Sequence, residues 1–426
     1  MAELPDRPHL DWIRKQAKRR LIELRRVRAD AQLADAQFDL AKDFGFSSWR
    51  ELKAHVDRLT VEGQLIAAAK NGDAATLAAL LDRHPEKLAT RVPPYDGTLL
   101  HAGARHLAAV DLLLARGIDP NAREGGDNTT VLHWAAAAGE IDVVRRLANA
   151  GADLAGDGDD HELGVIGWAS CWEHTDTDGH RAVREFLLAR GVRHHIFSAI
   201  GARDAAAVRA VATADPSALQ QRQSRNENNR TPLQFAVARN ESEMVELLLA
   251  LGADPLAVDG WGMPASAYAG NATIDRPILE RVRALALNET VSADRGRRPT
   301  NAAAMDLLAC VALGDRATAE RLVTDNPRLL DAAHGVLHLM AKRGDAAGVE
   351  WLLAHGADPN GRWAHFDADV TALHLTCLAN QPQVARVLVA GGADPAIGDS
   401  RHDGDALGWA RFFERAEIAR LLGGQS

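Results

Sequence analysis

The sequence predicts an all-α repeat solenoid preceded by a small helical unit, and three observations carry that prediction. First, the segment Glu246-Leu247-Leu248-Leu249-Ala250-Leu251-Gly252-Ala253-Asp254-Pro255, an apolar helical run closed by glycine, a small residue and aspartate, recurs. It returns at Asp111 to Pro120, Val144 to Asp153, Glu350 to Asn360 and Ala385 to Pro395. Second, most copies have a Thr-X-Leu-His-X-Ala block upstream, in register at roughly 33 to 36 residues, a helix-turn-helix repeat length. Third, a longer period groups the short one. Leu65 to Leu88 and Leu307 to Leu329 each open a run of two Leu-His repeats that ends in a Gly-Trp repeat, at Gly167-Trp168 and Gly408-Trp409. Arrays of this kind act through a long surface rather than a single catalytic pocket.

The elements follow in order. Leu10, Ile13, Ala17, Leu21 and Leu24 form an apolar stripe at helical spacing, surrounded by arginines and lysines. A second helix carries Leu33, Phe38, Leu40 and Ala41 and ends near Gly45; a third opens at Ser48-Trp49-Arg50-Glu51, which fits a capping box. The basic face is read as the solvated side of a capping unit, with a nucleic acid or acidic partner as the alternative. Residues 1–60 thus form an N-terminal helical cap, followed by repeat blocks at 61–195, 196–300 and 301–426. The middle block ends irregularly, with Trp261-Gly262-Met263-Pro264 in place of the usual opening. Residues 288–300 read as an extended loop or weak joint, and residues 411–422 as a terminal helix with Phe412, Phe413, Ile418 and Leu421 inward.

From residue 61 onward the motifs resemble the ankyrin repeat family. Thr98-Leu99-Leu100-His101, Thr130-Val131-Leu132-His133, Thr231-Pro232-Leu233-Gln234 and Thr371-Ala372-Leu373-His374 match its helix opening, and Gly356-Ala357-Asp358-Pro359-Asn360 matches its turn. Residues 4–55 are similar to a leader found ahead of some bacterial ankyrin arrays. The threonine caps the first helix, the histidine ties backbone groups of adjacent repeats, and the glycine supplies a left-handed helix end. His101, His133, His338 and His374 are therefore expected to be scaffold.

Composition bounds the function. Hydrophobic content of 46% and charged content of 25% exclude wholesale disorder. A net charge of -9 disfavours a general nucleic-acid binder. The three dispersed cysteines form no disulfide framework. No apolar run reaches the roughly 20 residues that span a bilayer. A soluble, cytoplasmic protein is expected, with no membrane role and no cofactor.

Catalytic signatures are absent, so the expected function is non-enzymatic: a protein partner bound through the concave face and finger loops. Candidate anchors are Arg225, Arg230, Trp261, Arg362, Trp363, His365, Arg401 and His402, because exposed Trp and Arg dominate interface energetics. The alternative is a small-molecule binder or enzyme whose pocket is formed by the curved array and two Asp/His loops. In those loops Asp157, Asp159 and His161, and Asp399, His402 and Asp403, combine oxygen and imidazole groups that suit a divalent metal. Asp and Gly are equally ordinary turn residues.

Overall fold

The computed structural model describes residue 4, residues 10–286 and residues 302–423. Residues 5–8 of the leader motif and the loop expected at 288–300 lie outside the described residues. The fold is mostly helical, a helix-turn-helix solenoid, and the chain divides into two compact units, Met1–Arg193 and His194–Ser426. No helix among the described residues is long and apolar enough to cross a membrane.

The first unit begins with helices Leu10–Val27, Leu33–Asp43 and Trp49–Leu59. They share a core of Ile13, Ala17, Leu40, Ala41, Leu52 and Val56. The expected capping box is modified. Ser48 Oγ accepts from the Glu51 amide at 3.2 Å, but the Glu51 carboxylate reaches Ser47, accepting from its amide at 2.9 Å and its hydroxyl at 2.6 Å. Four helix pairs follow, from Val61–Lys70 with Ala74–Arg83 to Gly164–Trp168 with Asp178–Ala189. One apolar core runs through them from Leu65 to Leu187.

The second unit repeats the pairing from Ile196–Gly201 with Ala205–Ala214 to Ala406–Phe412 with Ala416–Gly423. It departs from the pattern in three places. A single 3-10 turn, Ala265–Tyr268, stands where the repeats before and after it open with the helices Pro232–Ala238 and Ala302–Ala312. The finger after Asn360 is a β-hairpin, Arg362–His365 antiparallel to Ala368–Thr371, with Trp363 opposite Val370 and His365 opposite Ala368. The expected terminal helix is broken at Phe413–Arg415, so Ile418 is buried as expected whereas Phe412 is 80% exposed.

Among the described residues, five repeats are each tied to the finger that follows by one side chain at a fixed position. His101 Nδ1 accepts from the Thr98 amide at 3.1 Å, so the ring carries its proton on Nε2 and donates to Thr129 O at 3.3 Å. His133 does the same between Thr130 and Gly156 O, and His374 between Thr371 and Gly404 O, each with Nε2 at 3.0 Å from the carbonyl. Gln234 reproduces the device in amide form, accepting from Thr231 at 2.7 Å and donating to Met263 O at 2.8 Å. At His338 the threonine is replaced by Gly335, and only the outward bond, to Gly361 O at 3.0 Å, remains. Asparagines add turn-to-turn ties: Asn121 bonds Gly151 O and the Asp153 amide, and Asn360 bonds Gly392 O and the Asp394 amide.

Two glycines are required for different reasons. Gly252 closes its helix at φ 103°, with open space where a Cβ would sit. Gly335 has φ 67°, and a Cβ there would strike the Trp363 indole. Gly252→Ala should therefore cost only the left-handed backbone penalty, about 1 kcal/mol. Gly335→Ala should cost several times more, because it also displaces a buried ring. Urea denaturation of the two variants checks the ordering.

Candidate functional site

The fingers are closed by buried acids. Asp159 accepts from the amides of His161 at 3.1 Å, Leu163 at 3.2 Å and Gly164 at 2.7 Å, and from Trp168 Nε1 at 3.1 Å. Asp399 accepts from Arg401 at 2.9 Å, His402 at 2.7 Å, Gly404 at 3.1 Å and Trp409 Nε1 at 3.0 Å. Asp259 holds the Trp261 and Met263 amides, both at 2.8 Å, and the Tyr268 hydroxyl at 2.6 Å. Glu124 holds Asp127 and Thr129 at 2.9 Å, and Trp134 Nε1 reaches the Thr129 hydroxyl at 2.8 Å. Burial opposes the charge on Asp399, but these N–H donors outweigh it and hold the carboxyl down to about 2.

This chemistry bears on the metal candidates. A carboxylate has roughly four lone-pair sites, and in Asp159 and Asp399 they are engaged by N–H donors that close the turn. His161 Nε2 lies 3.4 Å from Asp127, while Asp157, His402 and Asp403 are exposed. Among the described residues, no three His, Cys, Asp or Glu side chains come together in a group that could hold a metal. One Asp/His loop belongs to each unit.

In the second unit, finger tips scattered over the sequence form a linked row. The finger Gln223–Arg230 meets Asp259–Met263 through the Gly260 amide on Asn228 O at 2.7 Å. The turn Asp331–Gly335 is short, and the long hairpin beyond it packs Phe366 against Trp261, with ring centroids 5.6 Å apart, and against Tyr268 at 5.1 Å. The hairpin in turn meets the last finger: the Ser400 amide donates to Asp369 O at 3.1 Å, and Arg401 pairs with Asp367. Arg225, Trp261, Arg362, Arg401 and His402 are all exposed on these tips. Arg230 is half-buried, lying over the Phe235 and Tyr268 rings and bonded to Gln223.

Two candidate anchors fall on the wrong side. Strand alternation turns Arg362 and Ala364 outward and Trp363 and His365 inward. Trp363, 7% exposed, fills the space over Gly335 beside His338. His365 is buried against Lys342. Neither is a surface anchor.

A sequence profile for three ankyrin repeats matches residues 65–156, and one for the single ankyrin repeat matches residues 228–260, 336–363 and 369–400. The chain carries ankyrin repeats. Ankyrin repeats are generally protein–protein interaction modules. No curated protein matches the chain. Among solved structures it is similar to the human ASB11 ankyrin repeat domain, at 22% identity over 51% of this chain and 96% of that chain, with a TM-score of 0.37.

Two buried cations, not singled out by the sequence, brace the row where the ankyrin pattern breaks. Arg343 forms a two-bond pair with Asp275, at 3.1 and 3.0 Å, and also reaches Asp345 at 3.2 Å. Lys342, 7% exposed, has no such acid among the described residues: it donates to Ala267 O, lies 3.3 Å from His365 Nε2 and sits 5.7 Å from the Phe366 ring centroid. Burial pushes the Lys342 ammonium down to about 8, and burial together with the Lys342 charge pushes His365 down to about 3. The lysine of the unfolded chain titrates near roughly 10.4. Between these values the unfolded chain binds the extra proton, so the folded state gains stability as pH rises from about 8; below it the buried charge is a standing cost. Lys342→Met should therefore be more stable than wild type at pH 7 by about 1–2 kcal/mol, with the difference closing by pH ~10.5. Denaturant titrations at the two pH values check it.

Proposed function

We propose that the second unit binds a protein partner along its row of finger tips, with Trp261 as the central anchor. Arg225 and Arg362, with Arg401 and His402 on the last finger, provide the polar surround. The supporting observation is Trp261 itself, 47% exposed yet braced from behind by Phe366. Phe366 sits at φ 57°, a left-handed backbone that is an outlier for a bulky side chain and persists only when its surroundings hold it. Here the rings of Trp261, Tyr268 and His365 do so, at centroid distances of 5.6, 5.1 and 4.4 Å. A large aromatic presented on rigid support, with arginines around it, is the make-up of an interface hot spot. Because the fingers are preorganised, little ordering entropy is lost on binding.

The test is affinity capture from whole-cell extract with the full chain, comparing wild type, Trp261→Ala and an Arg420→Ala control on the last helix. Proteins held by wild type and by the control should be lost from Trp261→Ala, and a partner so identified should bind that variant at least about tenfold more weakly. Partners retained equally by all three chains would refute the reading.

A further inference from the structure

The short turn Ala265–Tyr268 and the short finger Asp331–Gly335 leave the second unit incompletely filled. Between them lies a cavity of about 240 Å³. Its walls include Pro264, the inner face of helix Ala302–Ala312 through Ala304, Met305 and Leu308, the Trp363 indole and His334. Ala304, Met305 and Leu308 are buried in the fold, yet their side chains border empty space. His334 is half-buried, and among the described residues its ring has no hydrogen-bond or ion-pair partner.

The pocket opens to the surface but is walled in part by buried side chains, against which a guest molecule would gain dispersion contacts. An apolar cavity of about 150 Å³ already admits benzene, so this one has room for two fused rings. The indole of Trp363 offers an aromatic partner for edge or offset contact. The Met305 thioether is adaptable and favours aromatic neighbours. Two side chains of the lining can hydrogen-bond a polar substituent: the Trp363 indole N–H as a donor, and the His334 ring as donor or acceptor.

We propose that this cavity is a binding site for a small, mostly apolar ring compound of one or two fused rings, carrying a single hydrogen-bonding group that His334 engages. The site stands on its own lining and does not depend on the finger-tip reading. Indole is the probe, titrated into the full chain labelled with 13C in its methionine methyls. The chain has five methionines, and Met305→Leu assigns the one in the cavity. The Met305 methyl should shift saturably with a Kd of about 0.1–1 mM, the range for a ligand of this size, while Met244 in helix Ser242–Leu251 stays in place. Ala304→Phe, which fills the void, should abolish the shift, and His334→Ala should weaken binding about fivefold to tenfold. No saturable Met305 shift, or one that Ala304→Phe leaves intact, overturns the proposal. Should Ala304→Phe lose its native spectrum, an intermolecular NOE between indole and the Met305 methyl decides: its presence supports the site and its absence overturns it.

Discussion

The structure depends on a hydrogen-bonded side chain that recurs in five repeats, the imidazole or amide that joins a helix start to the next finger. An ankyrin finger has few apolar contacts of its own, so its backbone groups need partners from outside. His101, His133, Gln234, His338 and His374 each bond a carbonyl of the following finger, and most also accept from the backbone at their own helix start. The same bond fixes the tautomer, and burial lowers the pKa of His101 and His374, which favours the neutral ring. The buried carboxylates Asp159, Asp259 and Asp399 complete the closure from within each finger. Together they make the tips rigid, which is the condition for a preorganised binding surface.

The second unit is organised by what it lacks. One helix opening is cut to a single turn, one finger is short, and one capping threonine is glycine. The Trp363 indole fills the space over Gly335, the hairpin carries Phe366 to Trp261, and Lys342 and Arg343 reach back to Ala267 and Asp275. Burying a lysine without an acid is costly, and its placement against Ala267 O and His365 marks where ordinary repeat stacking has been replaced by a cross-brace. The cavity beside Trp363 comes from the same shortening.

Much of this was legible from residue type. The glycine-aspartate turns, the threonine-histidine openings and the helix pairs follow from local preferences that act within a few residues. What was not legible depends on register or distance. Trp363 reads equally as an exposed anchor or as a ring tucked under the next repeat, because a finger after Asn360 has no fixed face until the two-residue turn Phe366-Asp367 sets the strand pairing; one residue of slip would have turned it outward. Lys342 closes helix Val336–Lys342, where solvent exposure is usual, and its acceptor lies 75 residues earlier. Asp399 and Asp159 have the composition of metal ligands, and only the fold shows their lone pairs taken by amides. Arg225, Trp261, Arg362 and Arg401 were recognisable as candidates singly, but their alignment on one row is a property of the fingers' stacking.

Hydrogen exchange at the finger Asp399–Gly404, compared among wild type, His374→Gln and His374→Ala, tests the central claim most directly. Glutamine can copy both bonds, as Gln234 does, so His374→Gln should keep near-native protection at pH 7. It should also hold that protection below pH ~6.5, where the unfolded histidine binds a proton that the buried one resists and wild type loses stability. His374→Ala should raise exchange in that finger about tenfold or more. Protection in His374→Ala equal to wild type would contradict the account.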